Sequence, residues 1–342
     1  MTVELKSFNT FGVRASCREK LDFARAEDIS HWVKTAGMDP EAVLVVGGGS
    51  NLLFLDHTEL TLVSPCLTGR RYHDETADNI KVTAGAGENW HQLVLDTLAR
   101  NYTGLENLSL IPGNVGAAPI QNIGAYGVEL ADRFDSLEAV DLKTGEVRQF
   151  SRAECRFGYR DSIFKGEYRN RFVITRVTLI LDRQPHFVLD YGNLRARLAQ
   201  IPAQQLTGLQ VSEAVCEERR SKLPDPAKLG NAGSFFKNPV VSADIHAGLL
   251  ERFPELVAFP LENGDYKLAA GWLIEKAGMK GVREGDAGVH EKQALVLVNY
   301  GTANGDQILA LARRVQERVN SKFGVLLEPE VRIIGEQNAF AN

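Results

Sequence analysis

The sequence lacks several features that would each point to a particular class of protein. No apolar run among its 342 residues is long enough to span a membrane. The first residues, Met-Thr-Val-Glu-Leu-Lys-Ser, lack the basic and then apolar pattern of a secretory signal peptide. The net charge is −5, so a general polyanion-binding surface is not indicated. These absences predict a cytoplasmic protein that binds neither membrane nor nucleic acid, with a monomer as the default.

Cysteine is scarce and widely spaced. The chain has Cys17, Cys66, Cys155 and Cys216, and no two of them have the spacing of metal ligands. Without a secretion signal, a disulfide framework is not expected either. We therefore predict four reduced thiols, mostly buried, and no metal site.

Two common nucleotide-binding fingerprints are also absent. A dinucleotide fingerprint needs Gly-x-Gly-x-x-Gly at the start of a helix, and a phosphate loop of NTPases needs Gly-Lys followed by Ser or Thr. The chain instead has Gly47-Gly48-Gly49-Ser50-Asn51 between two short apolar segments, 42–46 and 52–55, predicted to be strands. Such a turn can still present N–H donors and a hydroxyl to a phosphate, without a helix dipole.

Glycine-rich turns are what the sequence does contain. The longest is residues 111–127, Ile-Pro-Gly-Asn-Val-Gly-Ala-Ala-Pro-Ile-Gln-Asn-Ile-Gly-Ala-Tyr-Gly, which is apolar but has neither helical nor strand periodicity. A third turn, Gly85-Ala86-Gly87, follows a predicted strand at 80–84. A buried irregular loop must satisfy its backbone polar groups. It does so either through its own turns and water, or by pointing N–H groups at a bound anion.

Hydrophobic periodicity predicts a mixed α+β chain. Helices are predicted at 26–36, from Glu88 to about 98, at 212–221, after Ser242 to about 253, at 268–277 and at 306–323. Further strands are predicted at 135–142, 172–181 and 325–334. The last strand would place Glu328, Glu330 and Arg332 on one face. Pro224 and Pro226 mark the candidate domain boundary.

Several motifs in combination resemble one family. They are Gly47-Gly48-Gly49-Ser50-Asn51, Gly85-Ala86-Gly87 with Trp90, the 111–127 loop, Tyr159-Arg160-Asp161-Ser162, Gly233-Ser234-Phe235-Phe236-Lys237-Asn238-Pro239, and Leu-Glu-Pro-Glu-Val at 327–331. From Asn9 to Arg332 the chain resembles the UDP-N-acetylenolpyruvoylglucosamine reductase (MurB) family, flavoenzymes of peptidoglycan precursor synthesis. Tyr191-Gly192, in an inserted segment, is similar to the variety that closes a tyrosine loop over substrate.

The resemblance implies an α+β fold of the vanillyl-alcohol-oxidase FAD-binding type. Two α+β subdomains would bind FAD, and a C-terminal α+β domain would bind substrate. We therefore expect FAD-binding subdomain 1 at 1–67 and subdomain 2, with the inserted Tyr191 loop, at 68–221. The substrate-binding domain is expected at 222–322, and a C-terminal strand and tail at 323–342 would return to the active site.

The implied cofactor is FAD, with NADPH as co-substrate. No His or Cys lies inside the three glycine-rich turns, so we expect non-covalent flavin. Family members often carry serines where this chain has alanines at 117 and 118, so backbone N–H groups are expected to bind more of the pyrophosphate here. The resemblance assigns the cofactor to Gly47, Gly48, Gly49, Ser50, Asn51, Leu52, Gly113, Asn114, Gly116, Ala117, Ala118, Gln121, Asn122, Gly124 and Arg332.

The implied reaction reduces the enolpyruvyl group of UDP-N-acetylglucosamine enolpyruvate to give UDP-N-acetylmuramate. Hydride from NADPH reaches the β-carbon by way of FAD, and the α-carbon is protonated. Hydride addition beside a carboxylate builds negative charge, so the site must stabilise an enolate-like dianion and supply a proton. The resemblance assigns carboxylate polarisation to Arg160 and Glu330, and the proton to Ser234. Arginine offers a bidentate fork, and a glutamate facing another carboxylate can stay protonated.

The resemblance also assigns residues to the substrate. Tyr191, Lys222, Asn238 and Gln293 match positions that hold the UDP part, and Tyr126 and Tyr159 are expected to line the site.

Each assignment has a structural alternative. Arg160 could form an ion pair with the adjacent Asp161, and Glu330 could pair across a strand face with Arg332. Ser234 could be a turn residue, Lys222 a solvated lysine, and the two tyrosines core aromatics with bonded hydroxyls.

Two rival functions remain open from the sequence. Another flavin oxidase on the same fold, acting on an alcohol or amine, would need neither Ser234 nor Glu330. A non-enzymatic nucleotide-sugar-binding protein would be colourless.

Overall fold

The computed structural model describes residues 2–37 and 39–335. The chain forms two compact units. Unit 1 is mainly Cys17–Gly48 and Glu59–Ser221, and unit 2 is mainly Glu4–Ser16, Gly49–Thr58 and residues 222–335. The finer division into two flavin subdomains, a substrate domain and a returning tail stays a prediction, and the end of that tail, 336–342, lies outside the described residues.

Eight α-helices occur in the described residues. They are α1 (Ala26–Ala36), α2 (Trp90–Ala99), α3 (Arg152–Cys155), α4 (Leu194–Arg197), α5 (Gly208–Lys222), α6 (Ala243–Arg252), α7 (Ala270–Lys276) and α8 (Gly305–Phe323). Short 3-10 helices occupy Lys6–Phe8, Pro40–Ala42, Glu106–Leu108, Val115–Gln121, Leu130–Asp132 and Ala203–Gln205. None of these helices is long and apolar enough to cross a membrane.

The strands are short, except for four that each reach at least eight residues. They are β1 (Val3–Glu4), β2 (Ser16–Phe23), β3 (Val43–Val45), β4 (Leu52–Phe54), β5 (His57–Pro65), β6 (Arg70–His73), β7 (Asn79–Gly85), β8 (Gly124–Ala125), β9 (Val128–Glu129), β10 (Phe134–Asp141), β11 (Val147–Ser151), β12 (Phe172–Asp182), β13 (Gly230–Ser234), β14 (Val240–Val241), β15 (Ala258–Pro260), β16 (Tyr266–Leu268), β17 (Arg283–Glu284), β18 (Ala287–Val289), β19 (Val296–Asn299) and β20 (Arg332–Ile334).

Unit 1 is organised around a five-stranded antiparallel sheet of order β11-β10-β12-β7-β6. On the central strand β12, Val177 pairs with Leu137 of β10 and with Ala84 of β7, and all three side chains are buried. Helix α2 contributes Trp90 and Leu93 to the same core. The Trp90 indole N–H donates to the Leu108 carbonyl oxygen at 2.9 Å, so its polar atom is satisfied inside the core.

The second sheet of the N-terminal half has the order β1-β2-β5-β3, with β3 and β5 parallel. Helix α1 packs Ile29 and Val33 against Val43 and Val63 of this sheet. The helix ends at Gly37 in the left-handed region, φ 58°, as the sequence predicted.

Unit 2 contains a four-stranded sheet of order β13-β19-β18-β17, a three-stranded sheet of order β14-β16-β15, and the parallel pair β20-β4. Helix α8 buries the predicted stripe, which begins with Ile308 and Leu311. Ser242 caps α6 by accepting from the Ile245 N–H.

Three predictions of local structure were wrong. The final strand is only Arg332–Ile334, not 325–334. Pro329 has no N–H to donate, and one backbone hydrogen bond lies on each side of it, from Lys237 N–H to Glu328 O and from Glu330 N–H to Phe235 O. Glu330 and Arg332 therefore do not share a strand face. The 111–127 loop is not wholly irregular, since Val115–Gln121 forms a 3-10 helix with Pro119 inside. Helix α5 also begins at Gly208, four residues before the predicted start.

Candidate active site

Two glycine turns of unit 1 touch each other and present unused N–H groups. An added Cβ at Gly48 would lie 3.0 Å from the Cα of Gly113 and 3.2 Å from Oδ1 of Asn114. At Gly47 it would lie 3.5 Å from the Cβ of Ala117. Within the described chain, no protein group accepts from the N–H of Gly47, Gly48, Gly113 or Asn114. Unbonded N–H groups on two touching turns are the donors that an anion-binding nest needs, and we refer to these two turns as the nest.

Other glycines of these turns are required for packing. An added Cβ at Gly116 would lie 2.5 Å from the Cβ of Ala86, and at Gly87 it would lie 2.7 Å from the carbonyl carbon of Cys66. The Gly116 N–H donates to Ala86 O at 2.9 Å, and the Ala117 N–H donates to Asn114 O at 3.0 Å. Gly116 and Ala117 therefore shape the nest, while their own N–H groups are already bonded within the protein.

Asn122 joins three segments of unit 1 from a buried position. Its side-chain N–H groups donate to Glu129 Oε2 at 2.7 Å and Gly158 O at 3.0 Å, and its Oδ1 accepts from Ala131 N at 2.9 Å. Its backbone is in the left-handed region, with φ 46°. The amide is engaged on both sides, so Asn122 holds the loop in shape.

Arg160 lies against the end of the same loop. Its Nη2 donates to Gly124 O at 2.7 Å, and its guanidinium carbon is 5.6 Å from the centre of the Tyr159 ring. Arg160 has φ 54°, a conformation that costs a non-glycine residue about 1–2 kcal/mol. The neighbouring Asp161 accepts from the Ser162 N–H. A strained residue held by a specific hydrogen bond is typical of a functional position.

The other two candidate tyrosines of unit 1, Tyr126 and Tyr191, contact each other. Tyr126 and Gly127, with φ 50° and 81°, form the two-residue turn between β8 and β9, the geometry of a type I′ hairpin. The Tyr126 ring meets the Tyr191 ring edge to face at 6.1 Å. Tyr191 is 51% exposed, so neither it nor Tyr159, 38% exposed, is a core aromatic.

Sequence reasoning missed two residues that hold these segments, the buried Asn107 and the partly buried His91. Asn107 donates to both Tyr126 O and Val188 O, each at 2.8 Å, and so ties the Tyr126 turn to the tyrosine loop. His91 Nδ1 accepts from the N–H of Leu110, whose φ is 59°. Burial, with smaller contributions from Arg220 and Arg219, lowers the pKa of His91, so the ring is neutral and able to accept. Neither residue carries a sequence signal that would have singled it out.

In unit 2, the residues around Ser234 and Glu330 are joined by backbone bonds. The Glu330 N–H donates to Phe235 O at 2.7 Å, next to Ser234. The Asn51 amide donates to Glu330 O at 3.1 Å, and the Arg332 N–H donates to Asn51 O at 3.0 Å. Leu52 pairs with Arg332 in the β4-β20 ladder, which continues this contact. The structure thus brings together Asn51, Ser234, Glu330 and Arg332.

Ser234 ends β13 and remains partly exposed, while the next two residues are anchored in the core. Phe235 and Phe236 are fully buried and contact each other edge to face at 5.1 Å. Ser234 pairs with Val296 of β19. It is therefore a strand residue at the edge of unit 2, preceded by the left-handed Gly233, φ 73°.

Gly49 and Ser50 precede Asn51 in unit 2. An added Cβ at Gly49 would lie 2.0 Å from Phe8 O, and its φ is 62°, so glycine is required there by packing. Ser50 is partly buried.

Asn238 and Gln293 converge on the first turn of α7. Asn238 Oδ1 accepts from the Ala270 N–H at 2.9 Å, and Gln293 Oε1 would lie 3.1 Å from a Cβ added at Gly271.

Lys222 is an exposed residue at the end of α5. Among the remaining cofactor candidates of unit 1, Ala118 is buried and Gln121 is partly buried in the 3-10 helix.

The cysteines are free, as predicted: Cys17, Cys155 and Cys216 are buried and Cys66 is exposed. Burial raises the pKa of Cys155 to about 12, so its thiol is not a nucleophile at neutral pH. No group of His, Cys, Asp and Glu in the described ranges could hold a metal ion.

FAD fits the nest of unit 1. Its pyrophosphate is an anion, and the donors at positions 47, 48, 113 and 114 are backbone N–H groups that the protein does not use. Side chains at 47 and 48 would fill the space between the two turns, which the glycines keep open.

Two family models match the chain. Residues 23–151 match an FAD binding domain, and residues 225–334 match the C-terminal domain of UDP-N-acetylenolpyruvoylglucosamine reductase. The first range contains both turns of the nest, and the second contains Ser234 and Glu330. The predicted FAD cofactor and the vanillyl-alcohol-oxidase type of α+β fold are confirmed.

Curated relatives match over nearly the whole length. The UDP-N-acetylenolpyruvoylglucosamine reductase of Pseudomonas putida is 52% identical, with 96% of each chain covered. That of Chromobacterium violaceum is 50% identical, with 97% of this chain and 98% of the relative covered. The crystal structure of the enzyme (MurB) from Thermus caldophilus has a TM-score of 0.67 at 26% identity, covering 97% of this chain and 98% of that one. On this identity and coverage, the chain belongs to the UDP-N-acetylenolpyruvoylglucosamine reductase family.

Proposed function

We propose that the protein reduces the enolpyruvyl group of UDP-N-acetylglucosamine enolpyruvate to UDP-N-acetylmuramate, with NADPH as co-substrate, in peptidoglycan precursor synthesis. The observation that carries this proposal is the nest of unused N–H groups at Gly47, Gly48, Gly113 and Asn114, which suits the FAD that this reaction requires. FAD, when bound, carries hydride from NADPH to the substrate. NADPH is a reductant of the cytoplasm, where we place the reaction; the monomeric state and the lack of membrane or nucleic-acid partners stay predictions.

The nest would bind the pyrophosphate through Gly47, Gly48, Gly113 and Asn114. Gly116, Ala117 and Asn122 would act by shaping it, since their side chains or N–H groups are bonded to the protein. The other cofactor positions that we propose are Gly49, Ser50, Asn51, Leu52, Ala118, Gln121, Gly124 and Arg332.

Arg160 would bind the substrate carboxylate. Its hydrogen bond to Gly124 O fixes the direction of the guanidinium, and the left-handed backbone aims it before substrate arrives. Negative charge that develops on the carboxylate during hydride addition would be stabilised by this oriented cation.

Ser234 would deliver the proton to the α-carbon, and Glu330 would polarise the carboxylate. The bond from Glu330 N–H to Phe235 O keeps the two residues in one neighbourhood of unit 2. An alkyl hydroxyl is a poor acid, but the carbanion that it protonates is a strong base, which makes the transfer feasible. The buried phenylalanines after Ser234 would hold its hydroxyl in position.

The UDP part would be bound by Tyr191, Lys222, Asn238 and Gln293, with Tyr126 and Tyr159 lining the site. Tyr191 and Lys222 are both exposed, as expected of residues that contact a ligand. Asn238 is held at the start of α7, where its Oδ1 accepts from the Ala270 N–H.

Two anaerobic half-reactions test this function. The purified protein should be yellow, release all of its flavin on acid precipitation, and lose its flavin colour on addition of NADPH. The enolpyruvyl UDP-sugar should then restore the colour. Restoration by oxygen together with turnover of an alcohol or amine would indicate the flavin oxidase instead. A protein that stays colourless after incubation with FAD would indicate a non-enzymatic binding protein.

A further inference from the structure

Arg219, on α5, is a cation without a protein counter-ion. Its Nε is shielded from solvent and has no hydrogen-bond partner in the described part of the chain. None of the ion pairs or hydrogen bonds of the described residues includes its guanidinium. Arg219 as a whole is partly buried, but a nitrogen shielded from water normally has a hydrogen-bond partner, because an unpaired buried polar group is costly.

The nearest acid on the helix is not the partner of Arg219. Glu218 is buried, with 1% of its side chain exposed, and its Oε2 is 2.9 Å from Nε of Arg197. Arg197 also reaches Glu217 at 3.2 Å. Both acidic residues that precede Arg219 therefore neutralise a different arginine.

Two of the three groups that act electrostatically on Arg219, Tyr126 and Arg160, belong to the candidate site. Tyr126, Cys216 and Arg160 are the groups whose charges act on it, and none of them is a carboxylate. Burial, and to a smaller degree the charge of Arg160, lowers the pKa of Arg219. Two arginines of unit 1 thus lie close enough to repel each other, beside the tyrosine that contacts Tyr191.

We propose that Arg219 is a second anion-binding arginine of the substrate site, and that an oxyanion of the UDP-sugar supplies its missing counter-charge. This inference rests on the proposed function. Two groups of the substrate have the required chemistry: the carboxylate that Arg160 would bind, and the diphosphate that Tyr191 and Lys222 would bind. Either one would supply the hydrogen-bond acceptor and negative charge that the Arg219 guanidinium lacks within the described residues.

The test compares Arg219→Gln with Arg219→Lys and with the matched control Arg220→Gln, which removes the exposed neighbouring arginine. Dissociation constants are measured by calorimetry on the flavin-loaded protein. The ligands are UDP-N-acetylmuramate, which has a carboxylate and a diphosphate, and UDP-N-acetylglucosamine, which has only the diphosphate. Arg219→Gln should weaken binding of UDP-N-acetylmuramate by about 10- to 100-fold, the usual effect of losing a charged hydrogen bond.

The second ligand identifies the source of the oxyanion. Weakening of UDP-N-acetylmuramate alone assigns Arg219 to the carboxylate, and equal weakening of both ligands assigns it to the diphosphate. Arg219→Lys should recover part of the loss, because it keeps the charge without the planar fork. Unchanged affinities for both ligands in Arg219→Gln, or the same loss in Arg220→Gln, would overturn the proposal. A wild-type protein that bound neither UDP-sugar would instead overturn the proposed function.

Thermal unfolding separates binding from a structural role. Because Arg219 has no protein counter-ion, Arg219→Gln should leave the melting temperature of the ligand-free holoenzyme unchanged or raise it. A lower melting temperature with loss of flavin, in both Arg219→Gln and Arg219→Lys, would mean that the residue supports the fold, and would overturn the proposal.

Discussion

The two units obtain unusual backbone conformations in different ways. Every non-glycine residue with positive φ in the described chain lies in unit 1: Asp74, Asn101, Leu110, Asn122, Tyr126, Arg156, Arg160 and Asn170. In unit 2, all positive-φ positions of the described residues are glycines, such as Gly49 and Gly233. A side chain in this region costs about 1–2 kcal/mol, which glycine avoids.

The difference shows which region uses side-chain hydrogen bonds to hold residues in an unfavourable backbone conformation. Leu110, Asn122, Tyr126 and Arg160 surround the proposed flavin and carboxylate positions, and each is held by a named hydrogen bond. The anchors are His91 at Leu110, the three bonds of Asn122, Asn107 at Tyr126, and Gly124 O at Arg160. Unit 2 positions Ser234 by strand pairing, and Glu330 by its own backbone bonds to Phe235 and to the Asn51 side chain, without a left-handed non-glycine residue. Unit 1 stores strain at its site, and unit 2 does not.

The largest expected effect is that Ser234→Ala slows one half-reaction and leaves the other unchanged. Flavin content and reduction by NADPH should be unchanged, since neither needs a proton at the substrate carbon. Oxidation of the reduced protein by the enolpyruvyl substrate should slow by about 10²- to 10⁴-fold, the usual effect of a positioned acid. Stopped-flow measurement of each half-reaction checks this. Ser242→Ala, which removes only a helix cap in unit 2, is the control. Equal slowing of both halves would indicate a structural role for Ser234.

The strained loop of unit 1 should depend on Asn122. Asn122→Ala removes three hydrogen bonds from a buried position and should lower the free energy of unfolding by about 2–4 kcal/mol, with faster flavin release. Asn122→Gly loses the same bonds but relieves the left-handed conformation, so it should be about 1 kcal/mol less destabilised. Urea unfolding followed by flavin fluorescence measures both. Equal stability of the wild type and both variants would contradict this account of unit 1.

Gly233→Ala tests the use of glycine at positive-φ positions in unit 2. No heavy atom lies within 4 Å of a Cβ added there, so Gly233→Ala should cost only the conformational term, about 1–2 kcal/mol. Gly248→Ala, on α6, also has open space but an ordinary helical φ, and should be neutral or stabilising. Melting temperatures of the two variants give the comparison, and a similar shift in both would show that φ is not the cause.

The smallest effect should be the pH dependence of the His91 bond. The folded-state pKa of His91 lies below its ordinary value of 6.5, so below that pH the unfolded chain binds a proton that the folded chain does not. Stability and flavin retention should therefore fall as the pH drops from about 6.5. His91→Asn keeps an acceptor for the Leu110 N–H and should remove this part of the pH dependence. His31→Asn, on the exposed side of α1, should leave the profile unchanged.

Prediction from sequence succeeded where the signal is local. The boundaries of α1 agree with the predicted helix, and the buried stripe of α8 follows from its period. The strand at 325–334 failed because alternation of side chains does not reveal whether a partner strand is present. The glycine turns were recognised, but not which N–H groups would remain unbonded, because that depends on contacts such as the one between Gly116 and Ala86.

By itself the sequence determined the α+β class, the glycine turns and the residue types that the chemistry needs, because these follow from periodicity, backbone freedom and side-chain chemistry. Only the tertiary structure decided that Asn122 is a bonded anchor, that Asn107 reaches Val188, 81 residues further along the chain, and that the Nε of Arg219 has no partner in the described residues. The physical reason is that hydrogen-bond satisfaction and charge pairing depend on neighbours in space, and neither is encoded in the spacing of residues along the chain.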